Sequence, residues 1–473
     1  MSQNRQRSGG NGSGGGSGNK RASSGGGGWY RAPQGKPAPR SAPRSRTGVH
    51  GSHLEHLDKV LARLLHFAAP ADMVVSQYFR EHHELGHRER GIIAEAAFAV
   101  LRRKVEFGQF AESGTGPARR RLVLLGLLQT AGREAIAPFL NPAEAEWLDR
   151  WENRDRAALA ARVRANLPDW LFDALVAQHG AEFTEALAQA WLTPAPLDLR
   201  VNTLKGERDA VLATLAEAGI EGVAAPLSPV GIRLAGKPAL NKLDIFTNGT
   251  VEVQDEGSQL LCQLLAPKRG EMVVDFCAGA GGKTLAIGAS MRNTGRLYAF
   301  DTSAHRLDAL KPRLARSGLS NVHPAAIAHE RDDRIKRLAG KIDRVLVDAP
   351  CTGLGTLRRN PALKWRQNPA AVAEAAALQA TILQSAARLL KPGGRLVYAT
   401  CSLLPAENEV IAAAFSAANS DFAPLEVAEI LTHLKVEGAA GLCSGPVSGG
   451  EYLRLWPHRH RTDGFFAAVW QKK

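Results

Sequence analysis

Three short stretches hold the residues of this chain that could do chemistry. One reads Val273-Val274-Asp275-Phe276-Cys277-Ala278-Gly279-Ala280-Gly281-Gly282-Lys283-Thr284. A second reads Arg344-Val345-Leu346-Val347-Asp348-Ala349-Pro350-Cys351, and a third Arg395-Leu396-Val397-Tyr398-Ala399-Thr400-Cys401-Ser402. Each is an apolar, β-branched run that ends in a polar or sulfur residue, as a buried strand of a parallel sheet reads. Ligands of open α/β sheets sit at the carboxyl ends of the strands. The candidate groups here all fall at such ends: a carboxylate and a thiol after one strand, a thiol after another, a glycine turn after a third.

The glycine turn lies between a strand and a helix opened by Lys283-Thr284. Glycines let backbone approach a ligand, and a helix N-terminus offers free N–H groups. The GxxxxGK[ST] phosphate loop and the full GxGxxG dinucleotide pattern are both absent. A nucleoside-containing cofactor fits, and so does a tight turn that packs helix on strand. Phe300-Asp301 ends the next strand about twenty residues on, where a carboxylate can hold two ribose hydroxyls. Asp301 also precedes a helix, so it can serve as a cap. A single buried cysteine is usually an inert small hydrophobe. Two thiols on strand-end loops, Cys351 and Cys401, with polar neighbours, suit a reactive pair better.

The elements that must position these groups follow from periodicity. From about Gln254 strand and helix alternate: strands at Met272–Phe276, Gly295–Phe300, Arg344–Val347 and Arg395–Thr400, with helices between them. This predicts a doubly wound, Rossmann-like parallel sheet over 254–473. The runs Glu451–Trp456 and Gly464–Trp470 read as an antiparallel pair closing its edge. Residues 167–253 read as a small α+β module, with a helix from Pro168 and strands near Pro196–Asn202, Gly231–Leu234 and Val251–Gln254. Residues 49–166 carry leucines at spacings of three and four (Leu54, Leu57, Leu61) and read as an all-helical bundle. Residues 1–48 are Gly, Ser, Arg and Pro and read as a disordered basic tail.

Bulk properties narrow the class. The chain has 473 residues, 44% of them hydrophobic, and a net charge of +14. Nine Lys and Arg without an acid fall in residues 1–50, leaving 51 against 46 acids elsewhere. Such a balance points to a polyanionic partner, most often nucleic acid. Five cysteines without a CxxC pair argue against zinc, any other metal site and a disulfide framework, and suit the cytoplasm. No 18-residue apolar run predicts a membrane span.

The three stretches, with Val253-Gln254-Asp255-Glu256-Gly257-Ser258-Gln259 before them, resemble the RsmB/Nop/Sun family of RNA cytosine-5 methyltransferases from about Leu197 onward. The helical part resembles the NusB-like RNA-binding domain of the bacterial members, which act on 16S ribosomal RNA. The resemblance implies a class I methyltransferase fold and S-adenosylmethionine as cofactor. It makes Cys401 the nucleophile toward carbon 6 of cytosine, Cys351 the thiol that assists elimination, and Asp348 the carboxylate on the base. It assigns Cys277, Ala278, Gly279, Ala280, Gly281, Gly282, Lys283, Asp301 and Asp348 to cofactor binding, with Asp332 near the adenine. The family's loop has proline where this chain has Ala280 and alanine where it has Gly279, which implies a looser loop. Arg358, Arg359, Lys364 and Trp365 follow the second stretch, and a basic cluster with an aromatic there suits an RNA backbone and a stacked base. The expected protein is a monomer that binds RNA and no membrane. A transfer-RNA methyltransferase and a non-catalytic RNA-binding assembly factor are the alternatives.

Overall fold

The computed structural model describes residues 48–447 and 449–473. The basic tail expected over 1–48 therefore lies, apart from Gly48, outside the described residues. Helices come first: Gly51–Leu64, Ala71–Glu81, His87–Arg102, Lys104–Glu112, Ala118–Ala131 and Pro142–Glu152 are the longer ones. Leu54, Leu57, Leu61 and Leu64 lie on one stripe of the first helix and are buried against Ile93, Val100 and Leu124. A helix pair follows, Asp169–His179 and Ala181–Trp191. The sequence reading contains the first of these and not the second.

A four-stranded antiparallel sheet comes next: β1 (Leu197–Val201), β2 (Gly222–Ala224), β3 (Gly231–Leu234) and β4 (Val251–Val253), in the order β2-β3-β1-β4. The large sheet holds β5 (Met272–Asp275), β6 (Arg296–Asp301), β7 (Val322–Ala326), β8 (Ile342–Asp348), β9 (Leu390–Thr400), β10 (Phe422–Pro424), β11 (Cys443–Ser444), β12 (Tyr452–Leu455) and β13 (Phe465–Lys472). Its order is β11-β12-β13-β9-β8-β5-β6-β7, with β10 also on β13. Strands β5 to β9 are parallel and β11 to β13 antiparallel. The last hairpin thus extends the sheet, and β13 sits inside it rather than at its rim.

Side chains alternate between two buried layers, as period two demands. Val273, Leu346, Val397 and Ala399 face one core, with Leu261, Leu285 and Leu310. Val274, Val345, Val347 and Tyr398 face the other, with Ile382, Leu383 and Phe415. Each fully buried Val or Leu contributes about 1.5–3 kcal/mol. From β5 the chain winds to β6 and β7, then crosses back to β8 on the other side of β5. The crevice between β5 and β8 is therefore the switch point of the sheet, where such folds bind ligands.

Candidate active site

Register brings the second and third stretches together. Asp348 at the end of β8 lies opposite Ala399 on β9, so the Cys351 turn and Cys401 share one edge. The two sulfurs are 3.3 Å apart. Lys283 reaches across from the helix Gly282–Ser290, and its Nζ donates to Asp348 Oδ2 at 2.6 Å. Burial alone would lower the Lys283 ammonium; the adjacent Asp348 carboxylate outweighs it and holds the lysine above its usual value. The hydrogen bond between Cys351 and Cys401, then burial, pushes the Cys351 thiol well up, so Cys351 keeps its proton and donates it toward Cys401. The backbone is tight here: Gly355 N donates to Cys401 O at 2.8 Å and Gly464 N to Gly355 O at 2.9 Å. A Cβ on Gly355 would stand 2.1 Å from Gly464 O, which leaves room only for glycine.

A cavity of about 710 Å³ runs from this edge to the ends of β6 and β7. Phe276, Ile327 and Ile382 give it apolar walls, and Asp301, Asp348 and Cys401 stand on it. Asp301 accepts from Gly279 N and Ser303 N, each at 2.8 Å. A carboxylate has about four acceptor positions, so two remain for a diol. A smaller recess of about 250 Å³, lined by Gln254, Ala280, Lys283 and Asp348, adjoins the same groups. An apolar slot, a carboxylate with acceptor positions left for a diol and a second polar recess at the switch point fit S-adenosylmethionine.

The glycine turn meets the need for close approach. Gly279 and Gly281 have φ of 56° and 81°, and a Cβ on Gly281 would lie 2.1 Å from Leu310 Cδ1. Gly279 stands where the family pattern has alanine. A Cβ there would lie 2.3 Å from Arg306 Nη2, so the arginine fills the space that alanine would need. Arg306 also stands 3.4 Å from Asp301 and lines the cavity. Asp275 below the turn is buried and accepts from Thr284 Oγ1 at 2.7 Å. Burial raises its carboxyl to about 7, and that hydrogen bond works against the rise.

Two expectations are corrected. Asp332 does not line the cavity; its carboxylate accepts from Ala328 N (3.0 Å) and Arg334 N (2.9 Å) as the cap of a short helix. The β7 side of the cavity is formed instead by Ala328, His329 and Glu330, two to four residues past a strand with no apolar alternation.

The basic cluster after Cys351 is likewise not an open surface. Lys364 is 1% exposed and donates to Arg102 O at 2.9 Å; Trp365 Nε1 donates to Leu101 O at 3.1 Å. Both satisfy carbonyls at the C-terminus of the helix His87–Arg102, which that helix leaves unpaired. Arg358 donates to Pro194 O at 2.8 Å, and Arg359 is tied to Asp255 (2.8 Å) and Asp463 (2.6 Å). None of the three cations expected to face RNA here is exposed: Arg358 and Arg359 are half-buried and Lys364 is buried. Ala362, in the same segment, joins the core of the helical region. The cluster is a seam between the helices and the large sheet.

Among the described residues, no helix is long and apolar enough to cross a membrane. His56, His82 and Glu84 in the helical region bring ligating atoms within 4.8 Å of one another; hydrogen bonds to Tyr78 and between His82 and Glu84 hold them.

Comparison with known proteins shows the family. The family model described as 16S rRNA methyltransferase RsmB/F matches residues 262–471, and that of the RsmF/B-like ferredoxin-like domain matches 167–241. The "Probable ribosomal RNA small subunit methyltransferase B" of Synechocystis is 33% identical over 428 residues, covering 83% of this chain and 93% of that protein. Ribosomal RNA small subunit methyltransferase B of Klebsiella pneumoniae (strain 342) is 38% identical over 257 residues, 54% and 58% of the two chains. The crystal structure of PH0851 is 26% identical, with a TM-score of 0.72, and covers 90% of this chain and 99% of its own. A methyltransferase homolog protein from Pyrococcus horikoshii is 29% identical, with a TM-score of 0.57 over 68% and 100%. The chain belongs to the 16S rRNA methyltransferase RsmB/F family.

Proposed function

We propose that this protein methylates carbon 5 of a cytosine in 16S ribosomal RNA, with Cys401 as a covalent nucleophile. The observation that carries the reading is the pair of sulfurs 3.3 Å apart on the edge that also holds the Lys283–Asp348 pair. S-adenosylmethionine, bound in the cleft, supplies an electrophilic methyl group. Carbon 5 of cytosine is too weak a nucleophile to take it unaided. Addition of the Cys401 thiolate to carbon 6 makes carbon 5 enamine-like and splits one hard step into easier ones. Lys283 fixes one oxygen of Asp348 and leaves the other for the ring nitrogen and amino edge of the base. After transfer the carbon 5 proton leaves to solvent in the cleft, because Cys401 is then bonded to carbon 6 and Cys351 already carries a proton. The Cys401–carbon 6 bond then breaks with its electrons returning to sulfur, and Cys351 stands next to that departing sulfur. Asp301 holds the ribose of the cofactor, and Cys277–Lys283 line its polar end. The target base is unstacked to reach the edge. The helices of 49–166 and the module of 167–253 bring the RNA, acting as a monomer.

Bisulfite sequencing of total RNA from cells with and without the gene tests this. One cytosine of 16S RNA losing protection supports it. Loss confined to transfer RNA overturns the substrate, and no loss anywhere favours an assembly factor.

A further inference from the structure

Adjacent strand ends do not by themselves hold two thiols in register. Glu407, in a short 3-10 turn after Cys401, is buried with no exposed surface. Its Oε1 accepts from Thr352 N at 2.8 Å and from Gln379 Nε2 at 3.1 Å. Its Oε2 accepts from Thr352 Oγ1 at 2.6 Å and from Ser402 Oγ. Thr352 directly follows Cys351, and Ser402 directly follows Cys401. Gln379 Nε2 also donates to Pro350 O at 2.9 Å, and Tyr398 OH donates to the Glu407 carbonyl at 2.6 Å. Four donors from both thiol loops and the helix Pro369–Ala387 thus converge on one carboxylate. Among the described residues no lysine, arginine or histidine forms an ion pair with it. Burying a carboxylate without a cation is costly unless donors fill its acceptor positions, and four donors fill all of them. A glutamine would present only one acceptor oxygen and would set its NH₂ against a donor.

We propose that Glu407 is a positioning residue for methyl transfer, a single carboxylate that clamps the Cys351 and Cys401 loops so that one sulfur faces the other. The inference rests on the reading of Cys401 as nucleophile. The clamp has an electrostatic side as well. The charge of Glu407 adds to the hydrogen bond with Cys401 and to burial in keeping the proton on Cys351. The titratable groups facing Cys351 are Cys401, Glu407 and Tyr398, with Lys283 and Asp348 on the Cys401 side.

The test uses the full chain and needs no RNA for its first readout. Alkylation of Cys351 and Cys401 by iodoacetamide is followed peptide by peptide across pH in the wild type and in Glu407→Gln. The midpoint for Cys351 should fall by about one pH unit in the variant. In turnover assays kcat should fall about 10- to 100-fold, with KM for RNA and for the methyl donor changed less than about threefold. An unchanged midpoint and kcat in a folded Glu407→Gln protein overturn the proposal. Should Glu407→Gln fail to fold, the double variant Thr352→Val/Ser402→Ala keeps the charge and removes the hydroxyl ties. It should lower kcat without moving the midpoint, and an unchanged kcat overturns the clamp. Trapping on RNA that carries 5-fluorocytosine separates the two levels. An adduct that persists in Cys401→Ala overturns the nucleophile reading, while the alkylation midpoints judge the clamp independently.

Discussion

Lys283 at the edge that carries the two thiols and Lys364 at the seam are both largely buried lysines, and their surroundings drive them apart. The Lys283 side chain is 13% exposed and lies 2.6 Å from a carboxylate, which keeps it charged. Lys364 is sealed in with Arg102, Arg103 and Lys104 around it and only a backbone carbonyl to donate to. Burial, then those cations, push it down to about 7. The edge gathers opposite charges beside the two thiols. The seam spends a cation on closing a helix end and joining two parts of the molecule. Disruption at the edge should cost turnover; disruption at the seam should alter stability.

The strongest break in that contrast is Cys401→Ala. It should lower methyl transfer by a factor of about 10³ or more and leave the melting temperature within about 2 °C, because the half-buried side chain gives up only its sulfur contact with Cys351. Turnover with a labelled methyl donor, beside a thermal melt, checks both halves. Next comes Lys283→Met, which leaves Asp348 part-buried without its cation. A loss of about 10²-fold in kcat/KM is expected, and a loss below threefold would show that the pair does not hold the carboxylate.

Lys364→Met should leave kcat within about threefold and act on stability instead. The folded value near 7 lies below the ordinary lysine value of about 10.4. Between those values the unfolded chain binds more protons, so this site makes stability rise with pH from about 7 to about 10.4. Melts at intervals across that range should show the rise in the wild type and a flatter curve in Lys364→Met. Parallel curves would sink the assignment. The smallest effect belongs to Asp332→Asn. Its carboxylate serves only as a helix cap, so calorimetry should find binding of S-adenosylmethionine changed less than about twofold. Asp301→Asn, by contrast, should weaken binding about tenfold.

What the sequence made legible was local. Runs such as Val345-Leu346-Val347 announce a buried strand, and the polar residue that ends each run marks the ligand edge. Strand β7 was hidden because Val322-His323-Pro324-Ala325-Ala326 has no β-branched alternation and carries a proline, tolerable at the edge of the sheet. The cavity wall of His329 and Glu330 was lost with it. The cluster from Arg358 to Trp365 misled for another reason. Its charge and aromaticity are visible in the sequence, whereas the helix end that absorbs them lies far back in the chain. Glu407 reads like an ordinary acid near a helix start, and its meaning depends on Thr352 and Gln379, which sequence spacing does not connect to it.

Strand β13 lies between β9 and β12, and Gly464 just before it is bonded to the loop that carries Cys351. On the ribosome, β9 emerges long before its neighbour β13. The helices and the glycine turn are already made while the strand bearing Thr400-Cys401 still has an open edge. A nascent chain therefore has its helical region and glycine turn before it has a closed thiol site. The strand that bears Cys401 gains its second neighbour only when synthesis has passed Lys472.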